Sequence, residues 1–454
     1  MSVRFSDLDG ARVGVWGAGR EIRSLAGQLA RRLPSSRIAV AVFDTPAPED
    51  VLGALRAPAA EVLVVAEDDV VAALSTCDVV VRSPGVSIHR PELEALREAG
   101  MTVTTATSLW LSERGGLGVI GITGTKGKST TAALAFHLAR AAGRTARLAG
   151  NIGVAALDLL DEEPAGVTVL ELSSYQTADL QTGPEVAVVT NLFKEHTDWH
   201  GSERAYRAEK LRLLELSGVR MGVLNAREEL LRAAGERLGS GGVEVKLFGA
   251  PDGWDVVSGG IARGGELLVD GSRLALLGDH NLLNLCAALS ALEAFGVEPP
   301  RLPGALKGFQ SLPHRLEQVA ERGGVLWVND SISTTPESTL AALSSFPGRP
   351  IVLICGGQDR GQDYTRLATA LAEAQATVIG VATTGPRLLA ATRDAGVPDA
   401  RTVHAPDLPA AVAAAGELAR EGGVVLLSPA APSYDGYRDF EERGARFREL
   451  VEAR

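Results

Sequence analysis

The sequence predicts an α/β protein of three consecutive units, each a mainly parallel sheet covered by helices, and three observations carry that prediction. An apolar run from Leu117 to Ile122 leads through Gly124-Thr125-Lys126-Gly127-Lys128-Ser129-Thr130 into an alanine- and leucine-rich helical pattern, which reads as strand, glycine loop and helix start. On both sides of it, short apolar runs alternate with helical patterns. At 454 residues the chain also exceeds a single core and fits two to four domains of ordinary size.

Composition removes several classes of function. With 45% hydrophobic and only 4% aromatic residues, the cores must be built from Ala, Val and Leu. The net charge of −11, with no Lys/Arg-rich run, argues against a nucleic-acid partner, because neutralising phosphates needs basic stripes. Cys77, Cys286 and Cys355 lie far apart without metal-ligand spacing and read as buried thiols of a reducing compartment. The opening MSVRFSDLDG lacks a signal-peptide core, and no apolar run approaches a membrane span. A cytoplasmic protein with no membrane partner is expected.

In the first unit, strand-like runs fall at Arg12 to Trp16, Ile38 to Phe43, Glu61 to Ala66, Asp78 to Arg82 and Thr102 to Thr105. Helical patterns such as Glu21 to Leu33 and Pro91 to Ala99 separate them. Gly17-Ala18-Gly19 after the first strand starts a dinucleotide fingerprint whose third glycine is replaced by Ile22. Asp44 ends the second strand, where a ribose-binding carboxylate would sit. A purely structural turn is an equal reading of G-x-G alone; with Asp44 it suggests a sheet that holds a nucleotide or nucleotide-sugar. Ser83-Pro84-Gly85 is another loop on the same carboxyl edge.

The second unit, 107–311, contains the glycine loop. Glycines let backbone N–H groups close around phosphate oxygens, the helix N-terminus adds positive potential, Lys128 can reach outer phosphates, and the Ser129 hydroxyl can ligate magnesium. Ile122 stands where the general phosphate-loop pattern has its first glycine, so the cradle is tighter. The apolar run Val167 to Leu172 delivers Glu171 near its carboxyl end, where a nucleotide-bound metal finds a second protein ligand, or where a solvated cap would sit. Val186 to Leu192 then leads to Phe193-Lys194-Glu195-His196-Thr197-Asp198-Trp199-His200, a loop with two imidazoles and two carboxylates.

Lys210 sits one turn beyond Tyr206 in a predicted helix, Ser202 to Leu216. It reads either as a surface lysine or as an amine that adds carbon dioxide to become an anionic magnesium ligand. Residues 240–272 are glycine-rich with hints of hairpins, and His280-Asn281 with Asn284 precede a predicted helix, Leu285 to Phe295. The two asparagines fall on one face, either capping the helix or bonding an adenine edge. A third unit, 312–454, begins at Leu312-Pro313-His314-Arg315 and has strands at Val325 to Asn329, Pro350 to Cys355, Thr377 to Ala382 and Gly423 to Leu427, each ending in a polar loop.

In order along the chain, Gly-Thr-x-Gly-Lys-Ser-Thr, Glu171-Leu172-Ser173-Ser174-Tyr175-Gln176, Asn191 with Glu195-His196 and Asp198, Tyr206 to Lys210, His280-Asn281 with Asn284, Pro313-His314-Arg315, Asn329-Asp330-Ser331 and Ser428-Pro429-Ala430 resemble the ATP-dependent Mur ligases of peptidoglycan synthesis. Similarity is greatest to the MurD-like group that adds glutamate to UDP-N-acetylmuramoyl-L-alanine. The resemblance implies a Rossmann-like UDP-binding domain (1–106), a central phosphate-loop ATPase domain (107–311) and a Rossmann-like glutamate domain (312–454), in a monomer using ATP and Mg2+. It implies that Gly124, Thr125, Lys126, Gly127, Lys128, Ser129, Thr130, Asn281, Asn284, Arg315 and Asp330 bind ATP, and that Ser129, Glu171, His196 and a carbamylated Lys210 serve the metals. Lys128, His196 and Lys210 would be catalytic. Asn151, Ser173 and Gln176 would meet the nucleotide-sugar, with Ser83 and Asp44 near its UDP end.

Departures from the family pattern cluster where glutamate would bind. The usual Asn-Asp-Ser-Lys-Ala-Thr is Asn329-Asp330-Ser331-Ile332-Ser333-Thr334, Gly-Asp-Gly-Lys is Gly357-Gln358-Asp359-Arg360, and Ala431-Pro432 interrupt the last motif, Ser428 to Ser433. The metal loop also differs, with Glu195-His196-Thr197-Asp198-Trp199-His200-Gly201 for the usual Glu-Asp-His-x-Asp-Arg. Arginine binds a carboxylate as a planar fork where lysine offers a point charge. The variants resemble the branch that adds L-glutamate, with D-glutamate as the alternative substrate, and imply Thr334, Arg360, Ser433, Tyr434 and Phe440 around the amino acid. Rival readings are a folylpolyglutamate synthetase, which has no need of the Gly17-Ala18-Gly19 unit, a nicotinamide dehydrogenase, which has no use for the phosphate loop, and a switch ATPase.

Overall fold

The computed structural model describes residues 2–35, 37–42, 49–56, 63–65, 70–162, 166–193, 202–240, 242–274, 278–309 and 312–454. The chain divides into two compact units, Met1–Leu274 with Leu282–Lys307, and Ala275–Asn281 with Gly308–Arg454.

The first unit contains two parallel sheets. In one, β1 (Arg12–Trp16), β2 (Arg37–Val42), β3 (Leu63–Val65), β4 (Val79–Arg82) and β5 (Thr102–Thr104) take the order β3-β2-β1-β4-β5. The chain leaves β1 toward β2 on one side and returns to β4 on the other, so the connection reverses between β1 and β4, the place where open α/β sheets receive ligands. The second sheet has the order β11-β10-β9-β6-β8-β7, from β6 (Val119–Thr123), β7 (Ala146–Gly150), β8 (Val167–Glu171), β9 (Val186–Val189), β10 (Met221–Asn225) and β11 (Glu244–Phe248). Its reversal lies between β6 and β9. A three-stranded antiparallel meander of β12 (Trp254–Val257), β13 (Gly260–Arg263) and β14 (Glu266–Asp270) follows, as the glycine-rich stretch implied.

Burial on both faces explains why the central strands read as continuous apolar runs. All five residues of β6 and all five of β8 are buried. Helix α1 (Arg20–Arg32) contributes Ile22, Leu25 and Leu29 to a cluster that also takes Val13 and Val15 of β1, Trp110 of α2 (Ala106–Arg114), Leu170 and Val189 of the second sheet, and Leu172 just beyond β8. One continuous core therefore spans both sheets.

The second unit is one six-stranded sheet, β15-β16-β20-β17-β18-β19, from β15 (Glu317–Arg322), β16 (Val325–Asn329), β17 (Ile351–Cys355), β18 (Thr377–Gly380), β19 (Thr402–His404) and β20 (Val424–Leu427). Alternate residues of β16 feed opposite faces: Leu326 and Val328 enter one core, Val325 and Trp327 the other.

The α/β expectation stands, and several element boundaries are corrected. Helix α5 runs over Asp279–Ala294, six residues earlier than the expected start at Leu285, so His280, Asn281 and Asn284 lie inside it. Asp279 in its first turn complements the positive end of the helix. β15 pairs antiparallel with β16; its half-exposed, charged sequence EQVAER is that of a guarded edge and carries no apolar run. The short strands β7, β10, β11 and β19 were likewise not foreseen. Phe43, Asp44, Glu61 and Ala66 lie outside the described residues. All three cysteines are buried and free, and burial pushes the Cys286 thiol up to about 12. Among the described residues no helix is long and apolar enough to cross a membrane.

Candidate active site

The glycine loop bridges β6 and α3 (Lys128–Ala141) at the reversal point of the central sheet. Gly124 has φ +143, and a Cβ there would stand 2.0 Å from Thr190 Oγ1. Gly127 caps α3 with φ +80, and its Cβ would meet Asn284 Oδ1 at 2.2 Å. Both positions demand glycine for conformation and for space. Residues just beyond β9 hold the loop: the Lys126 N–H donates to Asn191 Oδ1 (2.8 Å), while Asn191 Nδ2 and Thr190 Oγ1 donate to Lys126 O (3.0 and 2.7 Å). Thr125 Oγ1 lies 2.8 Å from the Tyr206 hydroxyl and accepts from the Phe193 N–H. With the loop so fixed, the N-terminus of α3, whose first N–H groups have no acceptor within the helix itself, forms a preorganised anion site.

Helix α4 (Glu203–Arg212) places Lys210 beneath that loop. Lys210 is 1% exposed, which removes the surface-lysine reading. Its Nζ donates to Gly124 O (2.9 Å) and Thr123 Oγ1 (3.3 Å) and lies 5.0 Å from the centre of the Tyr206 ring. Lys128 Nζ folds back onto Thr125 O at 2.8 Å, and Ser129 is buried at the first turn of α3.

Glu171 ends β8, paired in register with Ile122 of β6, two residues before the loop. It is fully buried, so the solvated-cap reading also falls. Asn151 Nδ2 donates to its Oε1 at 2.9 Å, whereas Oε2 has no hydrogen-bond partner among the described residues. A buried carboxylate oxygen without a partner is costly, and a cation removes that cost. The donors present therefore fit a magnesium nucleotide: loop N–H groups for phosphate, Ser129 and Glu171 for the metal. Among the described residues no three His, Cys, Asp or Glu side chains form a ready-made metal cage, as expected where phosphates and water supply most magnesium ligands. Glu195, His196, Asp198 and His200 lie outside the described residues, as does Asp44.

In the second unit, the loops after β16, β17 and β20 lie on one carboxyl edge. Asp330 is buried and accepts from Ser333 Oγ, Ser428 Oγ (2.9 Å) and the Leu316 N–H (3.1 Å); burial raises its carboxyl to about 6 against these bonds. Arg443 of α6 (Phe440–Glu452) ties two of the loops together by donating to Ser331 Oγ, Ser331 O and Ala431 O. Its burial, with only neutral acceptors, lowers its pKa to about 10. The exposed guanidinium of Arg360 lies 5.6 Å from the ring centre of Tyr434. It has no carboxylate partner among the described residues and is open to an anionic ligand.

Residues 122–292 match the Mur ligase middle domain, and residues 314–431 match the Mur ligase glutamate ligase domain. A UDP-N-acetylmuramoyl-L-alanine--L-glutamate ligase from Micromonospora sp. is 42% identical over 463 residues, covering 99% of this chain and 98% of the relative. The chain belongs to the Mur ligase family. A ligase of the same name from Xanthomonas axonopodis pv. citri is 40% identical over 99% of this chain and 97% of its own length. The crystal structure of MurF ligase from Thermotoga maritima in complex with ADP shares the fold, with TM-score 0.56 and 17% identity over 85% of this chain and 91% of that one.

Within this Mur ligase fold, Gly124 to Thr130, Asn151, Glu171, Ser173, Gln176, Lys210 and Asn284 all belong to the first unit. Ser83 does too: its N–H donates to Trp16 O at the β1/β4 reversal, where a Cβ on Gly17 would stand 2.6 Å from Ser83 Cβ. Gln176 is 3% exposed, and its amide joins Ser173 and Glu21. Asn281, Arg315, Asp330, Thr334, Arg360, Ser433, Tyr434 and Phe440 belong to the second unit. There Phe440 O accepts from Ser331 Oγ, Ser433 is buried, and Thr334 and Arg315 are half-buried. Arg443 was not anticipated; nothing in a charged amphipathic helix singles out the arginine that turns inward.

Two outcomes follow from this geometry. Gly127→Ala should weaken MgADP binding at least about tenfold and cost about 1–3 kcal/mol of stability, because a Cβ meets Asn284 and φ is positive; calorimetry and thermal melting measure both. For Asp330, the folded pKa lies above the unfolded value, so its contribution to stability is full below about pH 4 and is lost as pH rises through about 6. Asp330→Asn should therefore gain in melting temperature relative to the parent between pH 4 and pH 7; a difference constant with pH would contradict the assignment.

Proposed function

We propose that this chain joins glutamate to UDP-N-acetylmuramoyl-L-alanine at the expense of ATP, in the cytoplasm and as a monomer. The observation that carries the reading is the meeting, at one sheet edge, of a glycine loop with no room for a Cβ at Gly124 or Gly127, a buried Lys210 against it and a buried Glu171 with one oxygen unpartnered among the described residues. A carboxylate is a poor acyl donor. Phosphorylation of the alanine carboxylate makes an acyl phosphate, the glutamate amine attacks it, and phosphate leaves from the tetrahedral intermediate. Loop N–H groups and Lys128 orient and neutralise the γ-phosphate. Magnesium would be held by Ser129, Glu171, His196 and Lys210 as its carbamate, and would supply further charge neutralisation.

The nucleotide-sugar is assigned to the Gly17/Ser83 edge with Asp44, then Asn151, Ser173 and Gln176. Asn281, Asn284, Arg315 and Asp330 are assigned to ATP. Glutamate is assigned to Thr334, Arg360, Ser433, Tyr434 and Phe440. The corresponding domain division is 1–106, 107–311 and 312–454. L-glutamate is the favoured substrate: the Arg360 fork stands where a lysine is usual, and the relatives from Micromonospora and Xanthomonas are named for that enantiomer. Incubation with UDP-N-acetylmuramoyl-L-alanine, ATP and either enantiomer, followed by chiral analysis of the hydrolysed product, tests this. Incorporation of L-glutamate at least tenfold faster is expected; preference for D-glutamate would return the chain to the other branch.

A further inference from the structure

Two consecutive residues at the start of α1 grip the two segments that flank Glu171. Arg20 donates to three carbonyls of one tight loop: Nη1 to Gly153 O (3.0 Å), and Nη2 to Asn151 O (3.0 Å) and Gly150 O. That loop cannot shift easily. Gly150 and Gly153 both have positive φ, and a Cβ on either would stand within 2.2–2.3 Å of a carbonyl oxygen. Its Asn151 then bonds Glu171 twice, from the backbone N–H to Glu171 O and from Nδ2 to Oε1, each at 2.9 Å.

On the other flank, Glu21 is 9% exposed and receives Gln176 Nε2 (2.5 Å) and Thr107 Oγ1 (3.0 Å) on its Oε1. Gln176 in turn accepts the Ser173 N–H, closing a capping box two residues beyond Glu171. Both α1 residues follow directly on Gly17-Ala18-Gly19, the turn at the reversal point of the first sheet, with Gly19 as the cap of α1.

We propose that Arg20 and Glu21 are positioning residues for Glu171, through which occupancy of the Gly17–Gly19 turn by a nucleotide-sugar is coupled to magnesium-nucleotide binding at the phosphate loop. The inference rests on the functional reading above for the identity of the two ligands. A ligand that fixes the start of α1 fixes the Arg20 guanidinium, hence the 150–153 loop, hence the carboxylate whose second oxygen is left for the metal. The coupling is a free energy shared by two sites, so each ligand must tighten the other by the same factor.

The experiment is calorimetric titration of the full chain with MgADP, with and without UDP-N-acetylmuramoyl-L-alanine, and the converse titration. In the parent protein each ligand should tighten the other about fivefold or more. In Arg20→Met the factor should fall to within about twofold of unity, with the sugar nucleotide's own affinity changed less than about threefold. Arg20→Lys should not restore it, since one ammonium cannot span three carbonyls. Glu21→Ala should reduce the factor independently, and serves as the second variant if Arg20→Met melts early. Arg31→Ala, which breaks only an exposed ion pair of α1 with Asp161, should leave it intact. Undiminished coupling in Arg20→Met and Glu21→Ala, or none in a parent that binds both ligands, overturns the proposal. A parent that binds neither ligand overturns the functional reading, and the inference with it.

Discussion

Lys128→Ala should lower kcat by about 10²-fold or more while leaving the melting temperature within about 2 °C of the parent. In the free protein the ammonium donates to Thr125 O, a carbonyl of its own loop, so its loss removes little from the folded state. The loop itself is held by other groups: Asn191, Thr190 and the Tyr206 hydroxyl keep their bonds to residues 125 and 126. What disappears is the cation beside the anion site, whose worth is realised only as charge moves between phosphate oxygens. The effect should therefore fall on kcat more than on KM for ATP. Arginine should not replace it, because a planar fork does not fit where a compact ammonium lies against one carbonyl.

Lys210→Ala should be comparably severe, with a different signature. This side chain is buried, and its removal strips Gly124 O and Thr123 Oγ1 of a donor, so a loss of about 1–3 kcal/mol in stability should accompany the fall in kcat. Formate or acetate distinguishes the two roles open to the residue. If it acts as a carbamate, a short carboxylate diffusing into the space restores a measurable part of kcat in Lys210→Ala and does nothing for Lys128→Ala. If it acts only as a buried ammonium bracing the loop, carboxylates leave the variant inactive. Parent-like activity of Lys210→Ala would remove the residue from the mechanism altogether.

The parts of this molecule legible in the sequence are those where burial on both faces forces unbroken apolar runs. β6, β8 and β9 were readable for that reason, and so were the residues at their carboxyl ends, the glycine loop and Glu171. Strands whose side chains meet solvent left no such trace: β15, EQVAER, is an edge strand with charged residues at both ends, and β11, EVKLF, is mostly half-exposed. The start of α5 was misplaced because Asp279-His280-Asn281 has the composition of a turn, yet its polar residues are tolerated in a first helical turn. Burial of Lys210 could not be read from spacing; it follows from the pairing of α4 with the loop after β6. Arg20 and Glu21 directly follow a recognised glycine turn, but their partners lie more than 80 residues away. The motif of two imidazoles and two carboxylates that follows β9 was legible in the sequence, and Glu195, His196, Asp198 and His200 lie outside the described residues.

Phosphate release measured with single omissions tests the central claim most directly: the full mixture of MgATP, UDP-N-acetylmuramoyl-L-alanine and L-glutamate, against mixtures lacking one acceptor. Turnover that needs both acceptors, and yields one amide per phosphate, is the predicted result. Phosphate released at an equal rate without either acceptor would contradict the account, whatever the fold.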